Sequence, residues 1–68
     1  MKTVYDVQQL LKQFGTIIYT GDRKADLMLM HDELRELFQA NVIAPIEFQS
    51  AALVIKREIG EIEKNERF

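Results

Sequence analysis

The chain has no cysteine. That single absence removes disulfides, thiolate zinc sites and a thiol nucleophile together. Histidine and serine occur once each, as His31 and Ser50. No His-x-x-x-His, Glu-x-x-His or calcium-loop spacing is therefore present, and no metal is expected. Pairs such as Asp22 with Asp26, or Glu58 with Glu61, share a helix face only as any acid-rich helical protein has them. A catalytic histidine needs a partner nucleophile, and Ser50 falls on a different helix, so the residues call for neither enzyme chemistry nor a cofactor. No apolar run approaches the roughly 20 residues that span a bilayer. The start, Met1-Lys2-Thr3-Val4-Tyr5-Asp6, lacks the apolar stretch of a secretory signal. His31-Asp32-Glu33-Leu34 resembles a retention signal but is internal. The expectation is a cytoplasmic protein without a membrane partner.

What is present is a small globular composition. The 68 residues are 47% hydrophobic and 29% charged, enough for one domain, residues 1–68, with a modest core. The net charge of −2 argues against a broadly basic nucleic-acid binder. The first 24 residues carry four bases and two acids, and the remainder five bases and nine acids. Any basic face has to be local.

Periodicity predicts an all-α chain with helices at about 4–14, 23–40 and 45–63, which short connections fold into a three-helix bundle. Val4, Val7, Leu11 and Phe14, with Leu10 beside them, form the first stripe. Thr3 and Asp6 are spaced as a capping box, and Gly15 is placed to end the helix in the left-handed conformation. Thr16-Ile17-Ile18-Tyr19-Thr20 is β-branched but has no second strand to pair with, so it is a connector whose isoleucines plug the bundle. Leu27, Met30, Leu34, Leu37 and Phe38 form the second stripe, with Asp22 as cap and Asn41 as stop. The third helix has Pro45 at its first position, Glu47 at its third, and Ile43 and Phe48 spaced as a hydrophobic staple. Its stripe is Phe48, Ala51, Ala52, Ile55, Ile59 and Ile62, and the polar tail from Glu63 to Phe68 is expected to fray.

Two groups of residues fall outside this frame. Met28 and Leu29 point off the second stripe on opposite sides. Ile46, Leu53 and Gly60 recur every seven residues, opposite the third stripe. Either the connector or a helix end covers them, or they form a second apolar surface for a protein partner or another copy. The other group surrounds Gly21. Arg23 and Lys24 lie in a first helical turn, where cations oppose the helix dipole unless an anion docks there. With Tyr5, Lys12 and Tyr19 they offer stacking rings and positive charge for a single strand of nucleic acid. Against this, Asp22 is able to satisfy the same N–H groups, leaving Arg23 and Lys24 merely solvated.

Tyr5-Asp6-Val7-Gln8-Gln9-Leu10-Leu11-Lys12, Gly15 and Ile18-Tyr19-Thr20-Gly21-Asp22-Arg23 resemble the YqgQ-like family of small bacterial proteins, found mainly in Firmicutes. Glu33-Leu34-Arg35-Glu36-Leu37 and the Ala51-Ala52 helix continue the resemblance over nearly the whole chain. The resemblance implies a three-helix fold, no enzyme activity and an uncharacterised function, with single-stranded nucleic-acid binding suggested for such proteins. The acids Asp32, Glu33, Glu36, Glu58, Glu61 and Glu63 would confine that face to the first helix and the Gly21 turn. Two function classes are thus carried forward. One is a nucleic-acid module centred on Tyr5, Lys12, Tyr19, Gly21, Arg23 and Lys24. The other is an interaction or self-assembling adaptor using Met28, Leu29, Ile46 and Leu53.

Overall fold

The computed structural model describes residues 1–66. Three helices, α1 (Val4–Gln13), α2 (Arg23–Gln39) and α3 (Pro45–Asn65), follow one another with no strand among the described residues. The all-α three-helix bundle expected from periodicity is what forms.

Each helix end is set by local chemistry. At α1 the Thr3 hydroxyl accepts from the Asp6 N–H (3.3 Å), while an Asp6 carboxylate oxygen accepts from the Lys2 and Thr3 N–H groups (3.0 and 3.2 Å). Those backbone donors favour the ionised carboxylate and hold Asp6 below the usual carboxylate range. At the other end Gly15, with φ of 81°, donates to the Lys12 carbonyl and Thr16 donates to Leu11. This pair of bonds is the Schellman closure, and it needs the left-handed residue. Asn41 repeats it at the end of α2 with φ of 60°, donating to Phe38 while Val42 donates to Leu37. α3 starts on Pro45, and Glu47 accepts from the Ala44 N–H at 2.9 Å. Ala44 has no side-chain acceptor, so only half of a capping box is made here.

The core consists of Val4, Val7, Leu10 and Leu11 from α1, Leu27, Met30 and Leu34 from α2, Ile43, and Ala51, Val54 and Ile55 from α3. Leu37, Phe38, Phe48, Ile59 and Ile62 pack against it, partly buried. α2 and α3 form the most extensive pair, and α1 closes the third side. Ala51 and Ala52 are both buried, so the α3 backbone lies close to its neighbours. Phe38 and Phe48 stack at 4.6 Å between ring centroids, joining the end of α2 to the start of α3. His31 lies tilted against Phe48 at 6.3 Å. Ser50 does not meet His31 but accepts a hydrogen bond from the Met1 amine.

Several sequence expectations are corrected. α1 ends at Gln13 and α2 at Gln39, each one residue short of the reading, because Phe14 and Ala40 serve as C-caps. Phe14 leaves the α1 stripe with that step and is 41% exposed. Ile18 enters the core but Ile17 is 79% exposed. Side chains of an extended segment alternate between faces, so only one of two adjacent isoleucines faces inward. Val54, absent from the expected α3 stripe, is buried because it lies beside Val4 on the flank that α1 covers. α3 runs on to Asn65 instead of fraying from Glu63, and Lys24 reaches the Glu63 and Glu66 carboxylates, both at 3.4 Å. The remainder of the expected frayed tail, Arg67 and Phe68, lies outside the described residues.

Candidate functional site

The Gly21 turn is the most closely specified piece of loop in the molecule. Gly21 has φ of 90°, and a Cβ there would meet nothing within 4 Å. Glycine is therefore required by backbone conformation, not by a close neighbour. Asp22 caps α2 by accepting from the Lys24 and Ala25 N–H groups at 3.0 and 3.5 Å. Asp26, buried one turn further on, accepts from both the Thr20 N–H (2.7 Å) and the Thr20 hydroxyl (2.6 Å). A carboxylate this buried is tolerated because its oxygen has charge-assisted partners. The Thr20–Asp26 clasp fixes the turn to the helix it precedes. In sequence Asp26 stands out only as half of a generic acidic pair with Asp22. The available signal was its place beside Leu27 and four residues before Met30, on the edge of a buried stripe, where an acid needs a donor.

Along the α1–connector side the structure gathers most of the first candidate group. A cleft of about 240 Å³ is lined by Gln8, Ile18, Tyr19, Gly21, Arg23 and Asp26. Its neighbour, about 230 Å³, is bounded by Gln8, Gln9, Lys12 and Thr16 over a floor of Leu11, Ile18 and Met30. The two share Gln8 and Ile18. Tyr19 stands 85% exposed at the rim. Gln8 was missed from sequence, although it lies within one turn of Tyr5 and of Lys12 on the same helix face.

Two candidates are placed elsewhere. Tyr5 is exposed on that α1 face but lines neither cleft. Lys24 turns toward α3, where Glu66 and Glu63 hold it above the usual lysine range. Arg23 faces the cleft and also reaches Glu58 at 3.8 Å, an exposed pair of the kind that contributes little. The carboxylates of α3 thus meet the first-turn cations that had suggested an anion site.

The second candidate group stays uncovered. Met28, Leu29, Ile46 and Leu53 are all exposed, and neither the connector nor a helix end shields them. Gly60 lies in open space on the same side of α3. Among the described residues no three acidic, histidine or cysteine side chains assemble as a metal site. No described helix is long and apolar enough to cross a membrane.

Fold and surface together define a small three-helix protein whose exposed features are clefts and apolar patches. The chain belongs to the YqgQ-like family, which residues 1–61 match. It is 43% identical over 68 residues to uncharacterized protein YqgQ of Bacillus subtilis (strain 168), an alignment covering all of this chain and 96% of that relative.

Proposed function

We propose that the protein is a non-catalytic binding module that holds a short single strand of nucleic acid along the α1–connector face, in a cytoplasmic setting. The observation that carries this reading is Tyr19, exposed at the rim of a cleft that also contains Arg23. A base stacks on a free ring irrespective of its identity, and a nearby guanidinium meets the adjoining phosphate. Lys12 supplies a second cation at the neighbouring cleft, and the Gln8 and Gln9 amides offer donors and acceptors to base edges. Lys24 makes the smallest contribution, because binding would have to displace two carboxylates from it. Tyr5 extends the same face toward the start of α1.

The test is an NMR shift titration with a short oligonucleotide at low salt. Shifts should concentrate on Gln8, Lys12, Tyr19 and Arg23, and affinity should fall steeply as salt is raised, because phosphate contacts release counterions. Tyr19→Ala should weaken binding by about 1–3 kcal/mol. Absence of binding at low salt, or equal binding by a Lys12→Glu/Arg23→Glu double variant, overturns the proposal.

A second reading, an interaction adaptor, draws on a different observation. Four large apolar side chains on α2 and α3 are left in solvent.

A further inference from the structure

Ion pairing sorts the charges of α3 onto two sides. Glu58, Glu63 and Glu66 turn toward the start of α2, where Arg23 and Lys24 meet them. The outer side of α3 carries Leu53, with Lys56 three residues on at the edge toward His31 of α2 and Arg57 four residues on at the edge toward Lys2, so all three share a face. Neither cation has a carboxylate within ion-pair distance among the described residues. Arg57 spends one N–H on the Lys2 carbonyl at 3.3 Å, which leaves its charge unopposed. Ile46, one heptad before Leu53, is 71% exposed on this face and Leu53 is 59% exposed. Two acids border this face, Glu47 beside Ile46 and Glu61 on the edge toward α1 beside Lys2 and Thr3.

The outer side of α2 has the opposite sign. Leu29 is followed at three and seven residues by Asp32 and Glu36, all exposed and again on one helix face. Met28 borders this face and is 53% exposed. Neither Asp32 nor Glu36 has an ion-pair partner among the described residues. One chain therefore presents two unlike apolar faces, one flanked mainly by acids, with Arg35 beside Met28 at its edge, and one mainly by bases, and in each the first charge comes three residues after the leucine. When Leu29 is set against Leu53 with the helices parallel, Asp32 falls opposite Lys56.

We infer that the occupant of these faces is a second copy of this chain, with the acidic outer face of α2 packed on the basic outer face of α3 of its neighbour. The inference rests on the adaptor reading and is independent of the nucleic-acid one. Because the two faces differ, the contact is head to tail, and each copy has one face of each kind to offer. Apolar contact supplies adhesion and the charges supply register and partner choice.

The experiment is sedimentation of the full chain, without nucleic acid, together with two charge-reversed variants. These are Lys56→Glu/Arg57→Glu and Asp32→Lys/Glu36→Lys, each checked for wild-type helical circular dichroism. The wild-type average mass should rise with concentration at low salt and fall back as salt is added. Each variant alone should associate roughly tenfold or more weakly, since attractive pairs become repulsive ones. An equimolar mixture of the two should recover association, because the acidic α3 face of one then meets the basic α2 face of the other. Salt reversal in the unaltered chain gives a reading even if a variant fails to fold. A wild type that stays monomeric at millimolar concentration and low salt overturns the second copy as occupant, leaving only a different protein for the adaptor reading. Variants that associate as wild type does, or a mixture that recovers nothing, overturn it equally.

Discussion

The α2–α3 pair and the α1–connector side share one core but are held by different forces. Between α2 and α3 the joint is apolar and continuous. Leu27, Leu34 and Ile55 are fully buried, Ala51 lets the backbones approach, and stacked Phe38 and Phe48 close one end. On the other side, a non-helical connector lies over α2 with one isoleucine inside and one outside. What fixes it is polar: the Thr20–Asp26 clasp and the Thr16 hydroxyl donating to Glu33 at 3.2 Å. Apolar packing excludes ligands by filling space. A connector anchored at a few polar points leaves clefts between those points, and both clefts of the candidate nucleic-acid face lie there.

Substitutions in each region test this contrast. Leu34→Ala should have the largest effect, about 2–5 kcal/mol, because Leu34 is fully buried at the centre of α2. In so small a domain that removes most of the folding stability, read as a collapse of the urea midpoint. A loss under about 0.5 kcal/mol, as at a surface site, would show that the α2–α3 joint is not where stability resides. Asp26→Ala removes a charged acceptor from two donors and should cost about 1.5–3 kcal/mol. It should also shift the NMR signals of Ile18 and Tyr19 more than those of Phe38 and Phe48. Equal disturbance of both regions would mean that the clasp acts on the whole core. Gly21→Ala puts a Cβ on a residue with φ of 90° but into open space. Its cost of about 1–2 kcal/mol is purely conformational, so Gly21→Asn should recover part of it.

The smallest expected effect belongs to pH. Burial, reinforced by the Arg35 and Lys56 charges and opposed by Asp32, depresses His31 below its ordinary value of 6.5. The unfolded chain therefore takes up this proton before the folded chain does. Stability from neutral His31 is fully present above the unfolded value and is lost as pH falls from there through the lower folded value. Urea midpoints followed downward from neutral pH should drop less for His31→Gln than for wild type. Identical slopes would mean that the ring is not desolvated against Phe48.

The helix ends were legible because capping is chemistry between residues three or four apart. Thr3 with Asp6, Gly15, Asp22, Asn41 and Pro45 each perform the role their spacing indicates. The segment around Gly21 is accounted for as well: Thr20 is clasped, Gly21 turns the chain and Asp22 caps. What was not legible depended on where a distant element lies. Ile17 and Ile18 are chemically identical, and only the direction in which the connector crosses α2 decides which is inside. Val54 is buried only because α1 docks on its flank. Lys24 has no local partner in sequence because its partners are Glu63 and Glu66, some forty residues away, on the last turn and C-cap of α3, where the polar sequence suggests fraying. The candidate nucleic-acid group was assembled from nearest neighbours in sequence, and Lys24 is the member that a remote contact withdraws.

The lighter docking of α1 has a kinetic consequence. The α2–α3 hairpin keeps the larger share of the packing, so the least costly partial opening releases α1 while leaving that hairpin intact. Amide hydrogens of α1 should then exchange with solvent ahead of those at the centres of α2 and α3. Each such opening uncovers Leu27 and Met30 together with the floor of the cleft beside Lys12, which makes this side of the protein the one where shape fluctuates while the remainder holds.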